Sequence, residues 1–362
     1  MTEIDRSGNS YIMSFASLGA YRLEAMKLVQ EYFGPSLRIY AGPALGSSAI
    51  RVIDTKDLDY EVVSTASLFG RLLLQRIPFI KFLNCRVLLL DLNPRIPHVW
   101  ALVILRRALH RPTILWGHAF PRGGREAKTE SVRRALRTLS TGLVAYTTTQ
   151  AEELSQLHPG KKINAAPNAL YSQAKFVFDE ESDRDTFIYV GRLVPSKKPL
   201  LLVQAFELAL LTNPDIKLAI VGDGPLEAEV VNAVNNSPAR NSIQLLGHIG
   251  EYEQLRTLYS KAIASVSPGY VGLSVTQSLS FGVPMIVSKD EPHAPEVEAI
   301  QEGQNAEFFA TDDMKDLAET ILGFVKQRGS WADRGPSIAA ECKRKYSAEV
   351  MAHGLVEALE GQ

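Results

Sequence analysis

Short apolar runs rich in Val, Ile and Leu alternate with longer stretches of helical spacing, and they do so in two series separated by an acidic interruption. Parallel strands can be joined only by long crossover connections, so this alternation predicts parallel sheets covered by helices. In the first series the strand-forming runs are YIMSFA (11–16), LRIYAG (37–42), YEVVS (60–64), CRVLLLD (85–91), PTILWGH (112–118) and GLVAYTT (142–148). The stretch 174–186, with FDEESDRD, loses periodicity and reads as a linker. The second series is FIYVG (187–191), IKLAIVG (216–222), IQLLG (243–247), IASVSP (263–268) and PMIVS (284–288). Helices are expected between them near 199–212, 226–235, 251–261 and 273–281. The spacing therefore predicts an α/β chain of two doubly wound domains, 1–173 and 187–335, with a helical tail over 336–362 that packs back towards the first.

Charge adds a partition that the net value of -1 conceals. Residues 1–175 hold 23 basic and 13 acidic side chains, and 176–362 hold 16 and 27. The first half can sit on something anionic, but it has no nucleic-acid-binding motif, so nucleic acid is not an expected partner. With 46% hydrophobic and 22% charged residues the chain is neither disordered nor collagenous. Cys85 and Cys342 are far apart with no neighbours at metal-ligand spacing, which argues for a reducing compartment and against zinc. No secretory leader is expected from MTEIDRSGNS, nor a bilayer span, since VWALVIL (99–105) runs straight into Arg106 and Arg107.

Candidate chemistry begins in FIYVGRLVPSKKP. A strand ends at Gly191, and the loop to the next helix carries Arg192 and Lys197, a cation pair suited to a diphosphate beside a helix N-terminus. In IVGDGP, Gly222 and Gly224 allow a tight turn at a strand's carboxyl end, where doubly wound sheets bind ligands. In SPGYVGLSVTQSL, Gly272 and Leu273 stand at a helix start and Gln277 one turn later.

Together GRLVPSKKP, IVGDGP, LLGHI, LYSKAIASVSP and GVPMIVS resemble the C-terminal half of the family 4, or group 1, glycosyltransferases, of polysaccharide-synthesis type, over about residues 187–305. The resemblance implies the GT-B architecture, two Rossmann-like domains facing across a cleft, with a nucleoside-diphosphate sugar as co-substrate and neither cofactor nor metal. It implies that Arg192 and Lys197 stabilise the leaving diphosphate, that Gly272 and Leu273 meet the distal phosphate, and that Gln277 faces the ribose. Where the family pattern has Glu, seven residues, Glu, this chain has Gly269 and Gln277. A glutamine amide oxygen can accept from a ribose hydroxyl as a carboxylate does, whereas Gly269 offers no side chain.

In the first half the resemblance places a site histidine at His118, following a strand in PTILWGHAFPRGGRE. Arg122 and Arg125 on the glycine loop are candidate phosphate contacts, and Gly19 in FASLGAYR is a candidate for close backbone approach on the acceptor side. PNAL (167–170) resembles the family's short Asn motif, with Asn168 either a ligand or a turn residue. SLFGRLLLQRIPFIKFLN (67–84) mixes apolar residues with Arg71, Arg76 and Lys81, which fits either a segment lying on anionic lipid or a core helix with solvated cations, broken at Pro78. The resulting expectation is a retaining glycosyltransferase acting on a saccharide or lipid-linked saccharide at the cytoplasmic face of a membrane, in polysaccharide or lipopolysaccharide assembly. Two alternatives stay open: a sugar-nucleotide-binding partner, which would neither transfer nor hydrolyse, and a sugar-nucleotide epimerase, which would need no acceptor.

Overall fold

A computed structural model describes residues 10–43, 51–121, 124–181 and 183–361. The chain divides into two compact units, one formed by residues 1–172 and 347–362 and the other by 173–346. In the first unit, in chain order, are β1 (Tyr11–Phe15), α1 (Leu23–Phe33), β2 (Leu37–Ala41), β3 (Glu61–Val62), β4 (Thr65–Leu68), β5 (Leu72–Gln75), α2 (Phe79–Asn84), β6 (Val87–Asp91) and α3 (Pro97–Ala108). They are followed by β7 (Thr113–Trp116), α4 (Glu130–Leu139), β8 (Gly142–Ala145), α5 (Thr148–Leu157) and β9 (Lys162–Ala165).

Seven of these strands form a sheet in the order β3-β2-β1-β6-β7-β8-β9, every pair parallel. Strands buried on both faces must be apolar at successive positions, which is why β6 opens as Val-Leu-Leu-Leu and β1 is apolar at all but buried Ser14. Met13 and Phe15 turn to the core beneath α1, while Ile12 joins Leu88, Leu90 and Leu102 on the opposite face.

The second unit repeats the plan with β10 (Thr186–Val190), α6 (Pro199–Thr212), β11 (Lys217–Val221), α7 (Glu227–Asn236), β12 (Ile243–Leu245), α8 (Tyr252–Ser260), β13 (Ala262–Ser267), α9 (Ser274–Ser280), β14 (Met285–Ser288), β15 (Ala306–Phe309), α10 (Met314–Lys326) and α11 (Arg328–Tyr346). Its parallel sheet runs β12-β11-β10-β13-β14-β15. Along β14, Ile286 packs under α6 and α10, and Met285 and Val287 pack on the α9 and α11 side.

Three expectations need correction. The stretch 174–186 is no free linker but a strap on the second unit. Val177 N–H donates to the Ser280 carbonyl at 3.1 Å, Asp179 and Arg256 pair through two hydrogen bonds of 2.7 and 2.8 Å, and buried Arg184 donates to the Ala262 carbonyl at 2.8 Å. Asp179 thus has a structural partner, as does Asp185, which accepts from Lys217 at 2.6 Å. The tail divides at residue 346: α11 stays with the second unit, and α12 (Ala348–Glu360) buries Met351, Leu355 and Leu359 in the core of the first. Segment 67–84 is not a broken helix. Its first half is the antiparallel hairpin β4–β5, because Phe69 and Gly70 both take positive φ and reverse the chain, and only Phe79–Asn84 is helical, with Pro78 at its N-cap.

Candidate functional site

In the second unit the strand order reverses between β10 and β13. The loops leaving the carboxyl ends of such a pair diverge, and open α/β sheets bind ligands in the space between them. Here the loop after β10 carries Gly191, Arg192 and Lys197, and the loop after β13 carries Gly269, Gly272 and Leu273. Tyr270 N–H donates to the Ser196 carbonyl at 2.8 Å and ties the two together. The loop carrying the cation pair and the loop leading into α9 are thus neighbours.

The two cations sit differently. Arg192 is exposed, but its carbonyl accepts from the Tyr189 hydroxyl at 2.8 Å, which fixes its main chain and leaves the guanidinium to solvent. Lys197 is half-buried with its ammonium 5.5 Å from the centre of the Tyr270 ring. Burial pulls its pKa down to about 8, against the opposing pull of buried Glu296. An anionic ligand arriving here would replace solvation that the ammonium has lost. The adjacent Lys198 is held by Glu291 and Asp312.

Three glycines explain why these loops lie so close. Gly222 and Gly224 have φ of +146° and +149°. A Cβ at Gly222 would stand 1.8 Å from the Gly191 carbonyl oxygen, and one at Gly224 would stand 2.5 Å from that of Leu193. Both therefore seat the β11–α7 loop against the back of the cation loop. At Gly269 a Cβ would meet the Ser196 carbonyl oxygen at 2.4 Å and the Lys197 carbonyl carbon at 3.0 Å. The space for a side chain at this position is filled by the main chain that carries Lys197. Gly272 differs, since a Cβ there would meet Ala294 Cβ at an ordinary 3.5 Å.

Leu273 is the N-cap of α9 and half-buried Gln277 lies within that helix, its N–H bonded to the Leu273 carbonyl at 3.0 Å. Two residues here were missed from sequence. Ser274 Oγ is buried with no hydrogen-bond partner among the described residues. His293 accepts from Val271 N–H through Nδ1 at 3.1 Å and donates from Nε2 to the Ser288 carbonyl at 2.8 Å. Burial holds its ring below the ordinary imidazole range, so it serves as a neutral brace for the loop before α9. The only hint in the sequence was a His between two prolines after a strand.

The first unit gathers a polar group at the carboxyl ends of β1, β6, β7 and β8. Exposed His118 follows β7 and stands edge-on to Tyr146, ring centres 4.8 Å apart. Two residues not singled out from sequence join it. Asp91 ends β6 and accepts from Ala16 N–H at 2.5 Å. Burial lifts its carboxyl to about 6, although the Ala16 hydrogen bond and the Arg22 charge pull the other way. Arg22 stacks 4.2 Å over the Trp116 ring and donates to the Tyr146 hydroxyl at 2.9 Å and to buried Asn168 Oδ1 at 3.4 Å. Arg22 Nε and Trp116 Nε1 are buried without a hydrogen-bond partner among the described residues. Such a cluster was invisible in sequence because its members are spread over more than a hundred residues.

The remaining candidates separate. Gly19 is buried with φ of -65° and bridges Val52, an ordinary backbone that any residue could adopt. Arg125, expected to meet phosphate, is paired with Glu153 at 3.0 Å and lies 4.8 Å over the Phe120 ring, so its charge is already partnered. Arg122 lies outside the described residues. Arg71, Arg76 and Lys81 are exposed on the hairpin and α2. Among the described residues no group of three or more His, Cys, Asp and Glu could hold a metal ion, and no helix is long and apolar enough to cross a membrane.

Residues 172–336, nearly the whole second unit, match the family model described as glycosyl transferases group 1. The chain is 27% identical over 170 residues to an exopolysaccharide phosphotransferase of Streptomyces coelicolor, a match covering 46% of this chain and 17% of that protein. It is 21% identical over 161 residues to the poly(ribitol-phosphate) alpha-N-acetylglucosaminyltransferase of Staphylococcus aureus, covering 44% of this chain and 32% of the relative. The chain thus spans less than a third of the length of these two relatives. Among solved structures it is similar to Anabaena HepE in complex with UDP, with a TM-score of 0.74 at 13% identity over 98% of this chain and all of that one. The fold is a two-domain α/β fold of GT-B type.

Proposed function

We propose that this protein is a family 4 type glycosyltransferase that moves a hexosyl group, with retention, from a nucleoside-diphosphate sugar to a hydroxyl of a saccharide or lipid-linked saccharide. The product would be a cell-surface polysaccharide or lipopolysaccharide, made on the cytoplasmic side of an anionic membrane surface. The observation that carries this reading is the placement of Arg192 and Lys197 at the strand-order reversal of a unit that matches group 1 glycosyltransferases. The saccharide polymers named for two relatives and the UDP bound by HepE support it.

In the reaction the bond between the sugar's anomeric carbon and the diphosphate breaks, and negative charge gathers on the departing oxygen. Arg192 and Lys197 offset that charge, Lys197 from its half-buried place and Arg192 from a fixed main chain, which favours the transition state over the bound donor. Gly191, Gly272, Leu273 and Gln277 are assigned to the nucleotide, with Gly222 and Gly224 shaping the loop from behind. His118 is assigned to the donor sugar or the reacting centre and Asp91 to the acceptor, whose hydroxyl oxygen bonds to the anomeric carbon while its proton leaves with the diphosphate.

The filled space at Gly269 favours one second reading, a sugar-nucleotide-binding protein without turnover. Nucleoside-diphosphate release, followed with a panel of nucleotide sugars and saccharide acceptors, separates the two. Release that depends on acceptor and falls at least a hundredfold in Arg192→Ala supports transfer; binding with no release in the native protein supports the second reading.

A further inference from the structure

The hairpin β4–β5 has two unlike faces. In its register Ala66 pairs with Leu74 and Leu68 with Leu72, so one face carries four apolar side chains, and Leu73 points to the other. The inner face belongs to the unit: Leu73 is 5% exposed, its N–H donates to the Arg95 carbonyl at 2.9 Å, and the Gln75 amide donates to the Phe15 carbonyl at 3.2 Å. The outer face is bare, with Leu68, Leu72 and Leu74 each about two-fifths exposed and Phe69, at the tip, 88% exposed.

Phe69 is an expensive choice for that place. The turn closes with Arg71 N–H on the Leu68 carbonyl at 3.1 Å, and its central residues have φ of +50° and +64°. Asn-Gly suits such a turn, whereas a bulky residue there is strained. Arg95 braces the tip from below by donating to the carbonyls of Gly70 at 2.7 Å and Arg71 at 2.8 Å. A strained, braced and almost fully exposed phenyl ring contributes nothing to the fold that Asn would not supply.

The surroundings select the partner. Arg71 on the hairpin and Arg76 immediately after it are exposed, and no acidic residue lies in the chain between Glu61 and Asp91. A second copy would bring the same cations against themselves, which opposes self-association through this face. An anionic lipid surface meets both needs, acyl chains for the phenyl and leucyl groups and phosphates for the cations. We infer that the outer face of the β4–β5 hairpin seats the first unit on an anionic bilayer, with Phe69 and Leu72 entering the acyl boundary and Arg71 and Arg76 meeting the headgroups. The hairpin is anchored on Phe15, one residue before the Ala16 amide that holds Asp91. Seating it on lipid therefore brings the acceptor edge near the surface, and only this last consequence rests on the glycosyl-transfer reading.

The test is co-sedimentation of the full chain with vesicles of phosphatidylcholine alone or with about one-third phosphatidylglycerol, without any sugar nucleotide. The native protein should bind the anionic vesicles, and Phe69→Asn should weaken binding by about tenfold while melting no lower, because Asn fits the turn. Phe69→Trp should bind as the native protein does. Arg71→Gln and Arg76→Gln should each weaken binding about fivefold, and added salt should weaken binding of the native protein. Native affinity in Phe69→Asn, no vesicle binding by the native protein, or concentration-dependent dimers abolished by Phe69→Asn would each overturn the inference. None of these outcomes depends on transfer, so they stand apart from an activity assay.

Discussion

Replacing Gly269 by alanine adds one methyl group where main chain already fills the space. At 2.4 Å from the Ser196 carbonyl oxygen, the new carbon is nearly an ångström inside normal contact, and at 3.0 Å from the Lys197 carbonyl carbon it meets a second main-chain atom. Neither neighbour is the end of a flexible side chain, so the 195–198 turn must move, and its bond from Tyr270 N–H at 2.8 Å must stretch with it. Overpacking of this kind costs about 1–3 kcal/mol. For a unit of this size each kcal/mol lowers the midpoint by about 2–4 °C, so the transition of the second unit should fall by about 2–12 °C. Nucleotide-sugar affinity should fall too, because the displaced turn carries Lys197. Gly272→Ala is the matched control, since its Cβ finds only an ordinary 3.5 Å contact and should leave the midpoint unchanged. Differential scanning fluorimetry on the three proteins decides the matter. Equal midpoints and equal nucleotide affinity for Gly269→Ala and the native protein would refute the reasoning that main chain occupies this position.

Two further predictions turn on protonation. Burial lowers Lys197 from an ordinary 10.5 to about 8, so the unfolded chain binds the extra proton between those values, and the free protein gains stability from this group as pH rises through them. A bound diphosphate favours the ammonium, so affinity should decline above about pH 8 and binding near pH 9 should take up a proton; calorimetry in two buffers measures it, and Lys197→Arg should abolish the uptake. Asp91 is raised from an ordinary 3.8 to about 6, so the folded state holds the extra proton between those values and ionisation costs stability at neutral pH. Asp91→Asn should therefore melt no lower than the native protein at pH 7 while transfer falls at least tenfold, and a lower midpoint or undiminished transfer would contradict its assignment.

The architecture was legible because parallel strands buried on both faces write themselves as continuous apolar runs. The five second-series runs, FIYVG to PMIVS, became β10 to β14 in the expected order. β9 was missed because Lys162–Ala165 is a half-exposed edge strand with no apolar run. The hairpin was missed for a different reason: Leu72-Leu73-Leu74 has no polar alternation, since its outer face is apolar as well. Motif order singled out Arg192 and Lys197 as candidates, but nothing local in sequence distinguishes Lys197 from Lys198. That difference comes from Glu291, Glu296 and Asp312, about a hundred residues away. Likewise Asp91 looked like the polar end of a strand, and only the fold brings Ala16 and Arg22 to it.

The central claim is that the second unit holds a nucleoside diphosphate through Lys197. Thermal shift against UDP-, GDP-, ADP- and dTDP-sugars without added metal, on the native protein and Lys197→Ala, tests it most directly. At a hundred times the dissociation constant, binding adds about 2.7 kcal/mol, so one nucleotide should raise the native midpoint by about 5–10 °C and raise that of Lys197→Ala far less. No rise with any of the four, or the same rise in both proteins, would contradict the account.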